Sequence, residues 1–383
     1  MITIHDKKER NFNTLGLGIL HPTQCIITEE LNGLYEMELE HPYDVQGTWK
    51  YLTMQNIIYA PTPDGEQPFR IYRTNPNMDT VTVYARHIFY DLLDNIILHC
   101  DFPFGTTAKE TLQIMASNLE LSQGFSFYTD INDNMPGNYT LDKINGVEAL
   151  IAPYKPQNEI QFENRSFISK FKSEIIRDKF QISMVQSRGQ NRGFELRYGK
   201  NLLGLQVDED CSDIVTRIYP FGKDGEMLST KYVDSTRVRD YVYPKSAAIV
   251  YQDAVFPENN STDEEIDEEY EKEKDIILES FADVTFMLDK PDIPQRNIVV
   301  DFQMLSRIDK YKDYKHLENI YLGDTIKIIN DVMNFEEEAK VIAYTWDAIA
   351  QKYNSMEFGN LKAVLTSFID GGGFYATNGT VIK

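Results

Sequence analysis

From Tyr35 to Glu40 the chain alternates strictly: Tyr35, Met37 and Leu39 are apolar, and Glu36, Glu38 and Glu40 are acidic. Successive side chains of a strand point to opposite faces, so this segment must be a strand with one buried and one wet face. A helix would scatter the three acids around its circumference. A strand of this kind needs partners, and the flanking sequence supplies them. Asn32-Gly33 just before it is a hairpin signal, and Pro61-Thr62-Pro63-Asp64-Gly65 marks another turn. Phe69–Arg73 and Thr80–Ala85 read as paired strands around Asn75-Pro76-Asn77.

The period then changes. Ile88, Phe89, Leu92, Leu93 and Ile96 fall at helical spacing, which predicts a short amphipathic helix over 85–97. Thr107 and Glu110 form a capping box ahead of the stripe Ala108, Leu112, Met115, Ala116 and Leu119. A third short helix is expected over Gly146–Ala152. Strand character returns at Phe180–Met184, Phe194–Tyr198, Leu205–Val207 and Ile214–Tyr219. Arg188–Gly193 is a turn-rich connector, and Pro220-Phe221-Gly222-Lys223-Asp224-Gly225 reads as a tight loop. Residues 263–275 hold nine acids and two lysines, yet Ile266, Tyr270, Ile277 and Phe281 keep one face apolar. A helix over about 262–282 with an acidic outer face follows. Ile298–Phe302, Thr325–Ile329 and Val341–Trp346 are strands again, with turns at Gly323-Asp324 and Asn330-Asp331. The residues after Gly371-Gly372-Gly373 read as a flexible tail.

Charge and composition exclude several functions. The 383 residues carry 60 acids against 38 lysines and arginines, a formal charge of −22. Gripping a phosphate backbone runs on Lys and Arg, so that role is disfavoured, as is docking on an anionic membrane surface. No apolar run approaches the roughly 20 residues of a membrane helix, and no signal peptide is visible. Cys25, Cys100 and Cys211 form no CxxC, so free and mostly buried thiols are expected. The histidines (5, 21, 41, 87, 99 and 316) form no HExxH, no GxSxG occurs, and Gly222-Lys223 is followed by Asp224 rather than Ser or Thr. No catalytic, cofactor-binding or metal-ligating residue is therefore assigned, and no cofactor is expected.

Four stretches together carry a resemblance. They are LNGLYEMELEHPYD at 31–44, with Gly33, Pro42 and Asp44; ARHIFYDLLDN at 85–95, with His87, Asp91 and Asn95; VTRIYPFGKDGE at 215–226, with Tyr219, Pro220, Gly222, Asp224 and Gly225; and YLGDTIKI at 321–328 with VIAYTWDAIAQKYNSMEFGN at 341–360, with Gly323, Asp324, Gly359 and Asn360. In order and spacing the chain resembles the tip hub proteins of phage and prophage tails, the prophage endopeptidase tail or tail-associated lysin family. It is similar in turn to the central baseplate hub of contractile-tailed phages.

The resemblance implies a mainly β fold with α+β inserts: two similar β-barrel domains forming a hub ring, plus peripheral inserted α/β domains. Residues 1–95 would be the first barrel and 96–199 an inserted α+β domain. Residues 200–245 with 297–365 would be the second barrel, 246–296 a helical acidic insert, and 366–383 a flexible tail. It further implies a homotrimer, with a distal tail protein and the tail tube or tape-measure protein above and a tip fibre or spike below. DNA would pass through without specific binding, and the chain would not insert into a membrane. Synthesis in the host bacterial cytoplasm and assembly into the virion tail tip follow from the same resemblance. The family's endopeptidase label is not carried over, because no family catalytic residue has a matching position. The alternatives are a tail-associated peptidoglycan hydrolase, or a receptor- or glycan-binding module suggested by the 12% aromatic content.

Overall fold

The computed structural model describes residues 1–134, 139–151, 166–251, 254–257, 268–288, 290–302 and 320–359. The expected strands at the N-terminus form as β1 (Thr3–His5), β2 (Gly18–Ile19), β3 (Gln24–Glu30), β4 (Tyr35–Pro42), β5 (Ile57–Thr62), β6 (Gly65–Pro76) and β7 (Thr80–His87). Asn32 takes a left-handed φ of 58° in the β3–β4 turn, the conformation that Asn and Gly tolerate best. The register pairs Cys25 with Leu39, Ile27 with Met37 and Glu29 with Tyr35. The apolar phase of β4 therefore meets an inward phase of β3 that includes an acid. Tyr35, Met37 and Leu39 are buried, while Glu36, Glu38 and Glu40 stay at the boundary with water.

The helix expected over 85–97 is absent as such. β7 runs on to His87, Ile88–Asp94 is a 3₁₀ turn, and β8 (Ile96–Phe102) starts two residues later. The apolar positions 88, 89 and 92 are buried as the periodicity requires. The ring of His87 accepts the Phe89 N–H (3.2 Å), and Asn95 is already extended, so the segment closes as a 3₁₀ turn between the two strands.

Next come α1 (Ala108–Ser117), β9 (Ser126–Thr129), β10 (Tyr139–Asn145), α2 (Gly146–Ile151), α3 (Phe167–Phe171), β11 (Glu174–Asp178) and β12 (Gln181–Val185). The Thr107–Glu110 capping box is present in both directions at the start of α1. β8 pairs with β10, and β11, β12 and β9 form a three-stranded sheet in that order.

β13 (Asn191–Arg197) and β14 (Leu202–Asp210) follow. The described residues between 208 and 296 cluster as a separate unit; those of 208–245 thus group with those of 246–296. This unit holds β15 (Arg217–Gly222), β16 (Val233–Asp234), β17 (Ser246–Tyr251) and α4 (Glu268–Leu288). Pro220 and Gly222 belong to strand β15 rather than to a loop. β16 pairs only Arg217 and Ile218, so Pro220 falls where one edge carries no ladder and its missing N–H is tolerated. In α4 the buried residues Lys274, Leu278 and Ala282 recur every four residues, with Tyr270, Ile277 and Phe281 half-buried beside them. The first residues of the expected helix, Ile266 included, lie outside the described residues.

The last strands are β18 (Gln295–Phe302), β19 (Thr325–Asn330), β20 (Phe335–Asp347) and β21 (Lys352–Gly359). β20 is the pivot of the 13-stranded sheet. Its first half pairs with β19, its second half with β3, and β21 runs along it as well. Early and late strands of the chain, β3 and β20, are thereby neighbours in one sheet. Cys25 and Cys100 are buried free thiols, as expected, whereas Cys211 is exposed. Among the described residues no helix is long and apolar enough to cross a membrane.

Candidate functional site: a buried ionic joint

The alternation of β3 places Cys25, Ile27, Glu29 and Leu31 on the inward face, so Glu29 enters the core between aliphatic neighbours and is 1% exposed. A lone buried carboxylate costs several kcal/mol, and it persists only if fully partnered. Three partners meet it. Arg188 donates to Oε1 at 2.9 Å, Arg177 to the same oxygen at 3.2 Å, and the Tyr344 hydroxyl to Oε2 at 2.8 Å. Burial pushes the Glu29 carboxyl up. Arg188 and then Arg177, with hydrogen bonds from Arg188 and Tyr344, outweigh that and hold it below the usual glutamate range.

Each arginine is tied further. Arg177 Nη1 donates to the Gly33 carbonyl at 2.6 Å, and Nη2 to the Glu30 carbonyl at 3.0 Å. Its guanidinium lies over Tyr35 at 5.0 Å. Arg188 reaches Asp64, in the tight β5–β6 turn, at 2.5 Å, and its backbone N–H donates to Glu174 at 2.6 Å. Glu174 pairs with Lys340 of β20 at 2.5 Å, and Asp324 pairs with Arg192 at 2.9 Å. Glu29, Asp64, Glu174 and Asp324 thus stand against Arg177, Arg188, Arg192 and Lys340, a balanced set of charges drawn from early, middle and late parts of the chain.

Several of the residues marked by the resemblance line this joint. The Gly33 carbonyl accepts from Arg177 and from the Tyr90 hydroxyl (2.7 Å). His87 is fully buried and stacks on Tyr35 at 4.8 Å. Its Nδ1 accepts a backbone N–H, so the proton sits on Nε2, facing Gln67 Oε1 at 3.2 Å. Burial, with Arg177 and Lys179 adding to it, holds this imidazole neutral, well below the usual histidine range. Asp324 is 1% exposed and accepts the Gln190 N–H at 2.7 Å. Gly323 (φ 87°) and Gly189 (φ 82°) meet backbone to backbone: a Cβ on Gly323 would lie 2.4 Å from the Arg188 carbonyl oxygen.

The others sit elsewhere. Asp91 makes a two-pronged ion pair with Arg70 (2.7 and 2.8 Å). Asn95 is buried and bonds both ways with Leu121. Pro42 and Asp44 lie at the far end of β4, where Asp44 accepts the Gly47 N–H at 2.9 Å. Tyr219, Pro220 and Gly222 are in β15 and the exposed Asp224 and Gly225 in the turn after it, all in the second unit. Gly359 ends β21, and Asn360 lies outside the described residues.

The joint's carboxylates are paired with cations and its imidazole is held neutral, and two surface grooves flank α1. Among the described residues no three His, Cys, Asp or Glu side chains are placed to hold a metal ion. Glu29, Asp64, Arg177, Arg188, Tyr344, Glu174 and Lys340 were not singled out from sequence. An acid in the inward phase of β3, and Arg177 two residues from Ile175 in the inward phase of β11, are the signals that mark two of them.

Comparison with known proteins places this architecture. Over 96% of its length the chain matches 96% of prophage tail protein gp18 from Listeria monocytogenes, at TM-score 0.56 and 14% identity. A tail protein from Neisseria meningitidis matches at TM-score 0.58 and 7% identity, over 94% of this chain and 96% of that one. The 43 kDa tail protein of prophage MuSo2 from Shewanella oneidensis matches at 0.54 and 10%, over 88% and 94%. The fold is that of prophage tail proteins. Residues 190–369 also match the model of the prophage endopeptidase tail family, the family that the resemblance pointed to. No curated protein matches the sequence.

Proposed function

We propose that this protein is a structural hub of a phage or prophage tail tip, acting as a homotrimer without enzymatic activity. The observation that carries the reading is the joint. The β3–β20 ladder and the Glu29–Tyr344 hydrogen bond join early and late β segments, and the buried ion pairs tie β3 to Arg177 and Arg188 as well. Two similar barrel modules per chain, repeated three times, give six positions that suit a sixfold tube, while the chain count suits a threefold tip. The barrels would be 1–95 and 200–245 with 297–365, and the remaining segments would be inserts. A distal tail protein and the tube or tape-measure protein would bind above and a fibre or spike below, in the assembled virion. The −22 charge suits a conduit that DNA traverses without sticking.

Light scattering after size exclusion, followed by negative-stain imaging, tests this. The expected species has three times the 44.3 kDa chain mass and a central hole. A monomer that stays monomeric at every concentration, or a clearing band on a peptidoglycan zymogram, would replace the reading.

A further inference from the structure

α1 and β9 enclose a groove of about 460 Å³, lined by Lys109, Leu112, Gln113, Ala116, Phe127 and Thr129 among others. β9 is the last strand of its sheet and pairs only with β12. The Ser126 N–H donates to Phe180 (2.9 Å), and the parallel register sets Ser126 and Tyr128 to bond β12. The N–H and C=O of Phe127 and Thr129 therefore point outward, along the groove. Among the described residues no strand or side chain bonds them.

Proteins guard open edges with lysine, proline or a bulge. The four residues of β9, Ser-Phe-Tyr-Thr, contain none of these and favour strand throughout. Tyr128 is 54% exposed beside them. The helix wall adds an aliphatic floor from Leu112 and Ala116 and, among the described residues, one charged lining side chain, Lys109.

We propose that this groove binds an extended acidic peptide of a partner protein. The peptide adds a strand to β9 through the outward groups of Phe127 and Thr129. A small apolar side chain rests on Ala116 and Leu112, and a carboxylate meets Lys109. A second copy of β9 is the other occupant that the test must distinguish; its nearest acid, Asp130, already accepts the Gln186 N–H at 3.0 Å. The proposal does not depend on the hub reading.

The full chain is titrated with fluorescein-labelled Thr-Val-Thr-Val-Glu and with the same peptide ending in Lys, read by anisotropy and by amide hydrogen exchange. The glutamate probe is expected to bind at least fivefold tighter and to protect the Phe127 and Thr129 amides. Lys109→Glu should reverse the preference. Thr129→Pro removes the outward N–H, and with it the hydroxyl that accepts the Ile131 N–H (3.2 Å), and should abolish binding, with circular dichroism unchanged. If Thr129→Pro unfolds the chain, Lys109→Glu together with amide protection decides alone. No binding by the glutamate probe, equal binding of both probes, or protection elsewhere would overturn the proposal. So would a dimer of the free chain that Thr129→Pro dissolves, which would assign the edge to a second copy.

Discussion

Glu29 shows how one residue can commit a fold. Its burial is tolerated because two guanidiniums and a phenol satisfy its oxygens, and the same contacts immobilise those partners. Glu29→Ala should cost about 3–5 kcal/mol, since it leaves Arg177 and Arg188 buried beside an empty site. Urea denaturation checks this, and a loss under about 1 kcal/mol would mean water has entered to solvate them. The pH dependence has a definite sign. Glu29 has a folded pKa below its ordinary 4.5, so its charge stabilises the fold above that value. The contribution is lost as pH falls from 4.5 through the lowered pKa. The stability gap between wild type and Glu29→Gln should therefore be widest at neutral pH and narrow steadily below 4.5. A gap independent of pH down to full protonation would show that charge is not what Glu29 supplies. Gly323→Ala should destabilise by at least about 1–2 kcal/mol from the left-handed backbone alone, before the clash with Arg188. A thermal melt unchanged from wild type would contradict both.

At the scale of elements, local rules were readable where local forces decide. The Tyr35–Glu40 alternation, the Asn32-Gly33 turn and the Thr107–Glu110 box each depend on neighbours in sequence, and each appears as read. Thr107→Ala should cost about 1 kcal/mol by removing the cap, with Thr107→Asp largely restoring it; a variant series in urea would show the difference. The stretch 85–97 was misread because helical spacing specifies which residues are buried, not which hydrogen bonds form. The β7 ladder runs to His87, and a tertiary pairing took residues that a helix would have needed. Pro220 was read as a loop marker for a similar reason, since its tolerance depends on how short β16 is. The joint was harder still. Arg177 and Arg188 are unremarkable in sequence, and nothing local says that they converge on an acid about 150 residues away.

At the scale of the molecule, the sheet is held through β20, which serves β19, β3 and β21. Fold class was legible because mainly β segments with helical insertions leave that pattern in the sequence. The joining of the chain's two ends was not, because it rests on contacts such as Glu29–Tyr344, 315 residues apart. That separation also imposes an order of events. The N-terminal strands leave the ribosome first, yet the outer edge of β3 stays open until Ala343–Asp347 have been made. At about 5–20 residues per second the wait is roughly 16–60 s. Through that interval the nascent chain carries an uncovered strand edge and a carboxylate without its tyrosine, and for about the first half of it without its arginines as well. Sibling chains on one message hold the same edge at the same moment, so the timing of translation, and any chaperone that shields β3, bears directly on how much protein reaches the folded state.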